Sequence, residues 1–178
     1  MSGHNKWSKI KNKKAVSDSK KSAIFSKVAK LLYIEAKKAG GDETSPSLRA
    51  AIEKARAVNM PRDNIERAIK KAEGEGGENM EQITYEAYGP GGVALIIEAL
   101  TASRNKAAAE IKHILSENSL SLASPGSALW AFKKDPATNN LEPTTLIKLS
   151  PEDSQKLEKL VEELEANEEV QEVFTNAE

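Results

Sequence analysis

The chain has 178 residues, 39% of them hydrophobic and 30% charged, with no cysteine and a formal net charge of -1. That length allows one or two domains with a real core, while the absence of cysteine excludes disulfide frameworks and thiolate chemistry and permits a reducing compartment. The longest aliphatic run, residues 93–97, is far too short to span a bilayer.

The near-neutral total conceals a polarity. Residues 1–72 carry eighteen Lys/Arg against seven Asp/Glu, and residues 73–178 carry eight against twenty. A basic half joined to an acidic half points to a polyanionic partner for the first, with the second limiting indiscriminate adhesion. The chain opens on GHNKWSKIKNKKA, residues 3–15, with five lysines and no acid. Lys6, Lys9, Lys11, Lys13 and Lys14, followed by Lys20, Lys21 and Lys27, can each replace a counterion on a phosphate backbone. Trp7 offers a ring face to a base, and His4 suits a phosphate contact better than catalysis. A charge run alone is more often a solvated tail, but an indole has no use in one. A transit peptide would be arginine-rich with an apolar face, which this arm is not.

The next stretch, SDSKKSAIFSKVAKLLYIEAKKAGG, reads as a helix with Ser17 as cap, Ile24, Val28, Leu31 and Leu32 inward, and Gly40-Gly41 as its stop. A second helix begins at Ser45-Pro46 and buries Leu48, Ala51, Ile52 and Ala55. A third begins near Pro61 and turns Ile65, Ala68, Ile69 and Ala72 inward, leaving Arg62, Arg67, Lys70 and Lys71 outward beside Asp63 and Glu66. These last four cations are either a solvated face or an extension of the arm's binding surface, and their closeness in sequence to the basic first helix favours the extension. EGEGGEN, residues 73–79, then marks a domain boundary, giving a basic helical domain over 1–76 and a second domain over 77–178.

In the second domain the hydrophobic period changes to two. ITYEAYGPGGVALIIEALT is a hairpin about a type II turn, with Pro90 first and Gly91 free to take positive φ. YGPGG lacks the Lys-Ser/Thr of a P-loop, so turn chemistry accounts for it. A helix with Ala107, Ala108, Ile111, Ile114 and Leu115 inward follows. SALWAFKK is expected as a third strand with Trp130 and Phe132 on one face, and TTLIKL as a fourth. Ser150-Pro151-Glu152-Asp153 caps the last helix, whose buried stripe is Leu157, Leu160, Val161 and Leu164, and VQEVFTN closes as a strand. The expected class is α+β: a three-helix basic bundle, then a small, mainly antiparallel sheet with two helices on one face.

No catalytic constellation emerges. Glu110 and His113 stand three apart on a helix, but no second Glu-x-x-His completes a metal site, and no nucleophile is paired with a base. No cofactor or metal is expected.

GHNKWSKIKNKKA, IFSKVAKLLYIEAKKAGGD, LRAAIEKARAVNMPRDNIERAIKKA, YEAYGPGGVALIIEALT and PGSALWAF resemble, in order, the signature stretches of the YebC/PmpR family, which includes the mitochondrial translational activator of cytochrome c oxidase. The resemblance runs from Gly3 to about Phe132 and resumes from about Thr144 to Asn176. Family members usually carry a third domain between these parts, where this chain has a short linker near 133–143. TASRNKAAAE also stands where the family tends to have Thr-Asp-Asn-Arg-Asn-Arg-Thr, and Ser119-Leu120 where it tends to have Gly-Gly. The resemblance implies a cytoplasmic regulator that binds nucleic acid, ribosomal RNA or DNA, in one of two roles. One is a translation factor or activator at the ribosome, the role the scarcity of aromatics and the lack of a recognition helix favour. The other is a DNA-binding transcriptional regulator. A protein-binding adaptor whose lysines only maintain solubility is the third reading.

Overall fold

The structure, a computed structural model, describes residues 18–178 apart from 75, 76, 138 and 139, with side chains from Lys21 onward. The expected cap at Ser17 lies outside the described residues. They form two compact units, one ending at Glu81 and the other starting at Gln82, except that Leu100–Ala102 group with the first.

The first unit is built from α1 (Asp18–Ala39), α2 (Pro46–Ala57) and α3 (Arg62–Glu73). Both shorter helices pack on α1. Leu32 and Ala36 from α1, Leu48, Ala51 and Ala55 from α2, and Ile65 and Ile69 from α3 form the core, closed by Met60. Phe25 joins this cluster in place of the expected Ile24. Leu32 and Leu48 are fully buried, and each contributes about 1.5–3 kcal/mol of transfer free energy.

Helix ends follow the sequence signals, with one difference. Ser45 precedes α2 and Pro46 occupies its first position, but the Ser45 hydroxyl pairs with that of Ser47, and no side-chain cap bond forms. The C-terminus of α2 is a Schellman turn: Asn59, at φ 59°, donates its N–H to Arg56 O, and Met60 donates to Ala55 O.

In the second unit, β1 (Glu81–Tyr88), β2 (Ala94–Thr101) and β5 (Val170–Thr175) form a sheet in the order β1-β2-β5, with β2 and β5 antiparallel. The β1–β2 turn closes through Gly92 N–H to Gly89 O at 3.1 Å, and Gly91 takes φ 69° as the type II geometry requires. Residues of β2 point alternately to the two faces. Leu95, Ile97 and Ala99 pack against Ile111 and Leu115 of α4 (Arg104–Glu117) and Leu157, Leu160 and Leu164 of α5 (Pro151–Ala166). Ser150 caps α5 as expected, its hydroxyl accepting from Asp153 N–H at 3.1 Å.

The two expected helices thus cover one face of the sheet, and residues 128–132 cover the opposite one. Ala94 and Ile96 pack with Ala128, Ala131 and Phe132. The expected third strand is only β3 (Phe132–Lys134), which pairs with β4 (Leu141–Pro143) as a separate antiparallel ribbon. The expected fourth strand at TTLIKL is not a strand: it holds one parallel bridge, Ile147 to Ala177, and β4 falls before it. Asn176, 1% exposed, ties this segment down by accepting from Ala94 N–H at 2.7 Å and donating to Thr145 O at 3.0 Å. Trp130 and Phe132 do not share a strand face either. Residues Leu129–Ala131 form a 3-10 turn that buries Phe132 and leaves Trp130 62% exposed.

Helix α4 also ends in a Schellman turn, with Ser119 N–H on Ser116 O and Leu120 N–H on Leu115 O. Ser119 there has φ 60°, a left-handed conformation that serine adopts at a cost. Ser119→Gly is expected to raise stability by about 0.5–1 kcal/mol, read as a higher midpoint in urea with an unchanged slope.

Candidate nucleic-acid interface

The first unit carries a groove of about 470 Å³ between α1 and α3. On α3 the lining residues Asn64, Arg67, Ala68 and Lys71 recur at i, i+3, i+4 and i+7, one stripe beside the core stripe of Ile65 and Ile69. On α1 the wall is Phe25, Ser26, Ala29, Lys30 and Tyr33. Met60, placed by the Schellman turn, and Met80 complete an apolar floor. The groove therefore sets three cations, Lys30, Arg67 and Lys71, and one acid, Glu78, around aromatic and thioether surface.

One wall is held by a specific contact. The Tyr33 hydroxyl donates to Glu78 O at 3.0 Å, fixing the segment after α3 against α1. A Cβ on Gly77 would collide with that hydroxyl, so the glycine permits the approach. The Lys37 ammonium lies 5.8 Å from the centroid of the Tyr33 ring.

The expected site residues divide into three groups. Arg67, Lys70 and Lys71 are exposed on α3 and have no ion-pair partner among the described residues, so their charge is available to a ligand. Arg62 is 89% exposed but gives its Nε–H to Glu66 at 2.7 Å, and this bond raises its pKa above the ordinary value while drawing its charge into a pair. Lys21 and Lys27 lie along α1, Lys21 one turn before the groove-lining Phe25. His4, Lys6, Trp7, Lys9, Lys11, Lys13 and Lys14 lie outside the described residues, as does the side chain of Lys20. The sequence reading missed Lys30, Tyr33 and Asn64. Their signal was present as a second stripe at helical spacing beside each buried one, and identifying it required knowing which helix faces which.

The other motifs are structural. Glu110 accepts from Asn167 Nδ2 at 2.8 Å, and His113 pairs with Glu117 at 3.4 Å on an exposed helix face. Among the described residues no group of three or more His, Asp or Glu is placed to hold a metal ion. No helix among them is long and apolar enough to cross a membrane.

Comparison with known proteins gives a consistent result. The family model for the TACO1/YebC N-terminal domain matches residues 5–75, and that for the TACO1/YebC second and third domain matches residues 80–138. A probable transcriptional regulatory protein of Fervidobacterium nodosum is 40% identical over 235 aligned positions, covering 99% of this chain and 93% of the relative. That alignment is longer than the chain, so the relative has residues with no counterpart here. A similarly named protein of Thermosipho africanus is 52% identical over 136 residues, which are 75% of this chain and 54% of the relative. The crystal structure of a conserved hypothetical protein from Aquifex aeolicus superposes with a TM-score of 0.80 at 27% identity, covering 90% of this chain and 91% of that one.

Proposed function

We propose that this chain, which belongs to the TACO1/YebC family, regulates gene expression without catalysing a reaction, by docking its basic helical unit on structured RNA of the translating ribosome. The observation that carries this reading is the groove between α1 and α3. Arg67 and Lys71 stand there unpaired among the described residues, with Lys30 opposite, beside the half-buried Phe25 and over the buried Tyr33 and Met60.

Such a site divides the work between charge and stacking. The cations replace counterions on phosphates, a sequence-independent term that supplies affinity and weakens steeply with salt. Phe25, half-buried at the groove wall, offers a face to an unstacked base, with the Asn64 amide available to its edge. Loops and bulges of RNA offer bases in that state, whereas duplex DNA keeps them stacked. The lysine arm, Lys6 to Lys14 with Lys20, adds further phosphate contacts, and the protein works in the cytoplasm.

The second reading, a transcriptional regulator on DNA, is favoured by the names of the relatives. Crosslinking the tagged chain in cells and sequencing both the RNA and the DNA recovered separates the two. Ribosomal RNA enriched at a defined position, and lost when Lys9, Lys11, Lys13 and Lys14 are changed to glutamate, is the expected result. Discrete promoter DNA without ribosomal RNA would replace this reading by the second, and recovery of neither would leave the adaptor.

A further inference from the structure

The second unit carries an exposed aromatic surface away from the groove residues in sequence and built by a different device. Among its described residues the large exposed hydrophobics are Tyr88, Leu129, Trp130 and Leu146. Tyr88 and Trp130 meet because the 3-10 turn Leu129–Ala131 lies beside the end of β1, and Thr144 N–H on Ala131 O at 2.8 Å ties that turn to the segment preceding Leu146. The polar edges of both rings are already used. The Trp130 Nε1–H donates to the Tyr88 hydroxyl at 3.1 Å, and that hydroxyl donates to Ser127 O.

Two rings held at their edges offer a ligand only their faces. An aromatic at a protein interface commonly spends its polar tip on the partner, while stacking on a base needs only the face and tolerates any sequence. The charge that neighbours Trp130 in sequence favours the base. In the acidic half, residues 120–150 hold Lys133, Lys134 and Lys148 against Asp135 and Glu142. Residues 120–150 are thus net positive by one, whereas residues 73–119 and 151–178 are each net negative as a whole. Lys134 is exposed and has no ion-pair partner among the described residues, whereas Lys133 faces Glu142 at 3.7 Å.

We infer that the Tyr88–Trp130 surface is a second docking site, taking unstacked bases of single-stranded RNA, with Lys134 and Lys148 beside the strand's phosphates. This inference rests on the nucleic-acid reading above, and it makes the second unit a reader of RNA in its own right.

The two tryptophans of the chain are Trp7 and Trp130. In the full chain carrying Trp7→Phe, Trp130 is therefore the sole indole, and titration with a short mixed-sequence single-stranded RNA at low salt is expected to quench its emission. Trp130→Ala should weaken binding of that RNA roughly 5- to 100-fold, the range set by one lost base stack, and Trp130→Phe should retain most of the affinity. Trp130 is exposed, so the alanine variant should fold, as circular dichroism would check. RNA binding by the parent with neither quenching nor loss in Trp130→Ala would overturn this site and leave the groove reading standing. Failure of the parent to bind RNA at low salt would defeat both. An unchanged RNA affinity together with a lower sedimentation coefficient in Trp130→Ala would assign the patch to self-association instead.

Discussion

Replacing Glu86 by alanine is expected to cost about 3 kcal/mol of stability and to release the segment that carries Trp130. The Glu86 side chain is 6% exposed in β1, and its carboxylate accepts three backbone N–H groups, from Gly126 at 2.6 Å, Ala128 at 2.8 Å and Leu129 at 2.9 Å. Its own carbonyl accepts a fourth, from Ala123 at 2.8 Å. The charged bonds therefore do for the 3-10 turn what a sheet ladder would do for a strand. After truncation Gly126 and Leu129 can turn to water, but Ala128 is fully buried and its N–H is left unpaired. One stranded donor and two broken charge-assisted bonds account for the magnitude.

The same site sets an acid limit on stability. Burial pushes the Glu86 carboxyl up, but the N–H groups of Gly126, Ala128 and Leu129 more than offset it and hold the pKa below the ordinary 4.5. The folded state thus binds this proton more weakly than the unfolded chain. The contribution is fully present above pH 4.5 and is lost as pH falls through the lowered folded value. Urea midpoints measured across that acid range should fall less steeply for Glu86→Gln than for the parent, starting from a lower stability at neutral pH. Equal slopes in the two proteins would show that the carboxylate does not carry the linkage.

The triple change Arg67→Glu, Lys70→Glu and Lys71→Glu is expected to lower RNA affinity on the order of 100-fold at physiological salt. It should also flatten the dependence of log K on log salt by about 0.7 for each phosphate of a single strand that the protein no longer neutralises. All three side chains are exposed, so the core of Ile65 and Ile69 is untouched. Lys70 and Lys71 do sit in the last turn of α3, where cations complement the helix dipole, so a loss of about 0.3–1 kcal/mol per site in stability accompanies the change. Lys70→Arg with Lys71→Arg separates the two effects by keeping the charge. An unchanged salt slope in the triple variant would move phosphate binding off α3 and onto other cations.

The two expectations differ in how they could be read from the chain. The basic stripe of α3 was legible because Arg67, Lys70 and Lys71 alternate with Ile65 and Ile69 at helical spacing, a pattern the backbone alone enforces. The opposing wall was not, because α1 carries cations around much of its circumference and only its packing on α3 selects Lys30 and Tyr33 for the groove. Gly77 shows the same limit: composition marks a linker glycine, and only the approach of the Tyr33 hydroxyl explains why no Cβ fits. Ser119 is a further case: its left-handed backbone suits glycine, which the residue type does not announce.

Local chemistry by itself determined the helices, their proline starts and glycine stops, the hairpin about Gly91, and the polarity between a basic and an acidic half. Each depends on the spacing or charge of neighbours within a few residues. Tertiary structure alone decided the fate of SALWAFKK and TTLIKL. Their period-two patterns specify alternating faces without specifying a hydrogen-bond partner. For residues 126–129 that partner is the Glu86 carboxylate, some forty positions away, which pulls the backbone into a turn and leaves Trp130 facing outward. For residues 145–147 it is Asn176, which supplies side-chain and backbone partners where a neighbouring strand would have supplied a ladder.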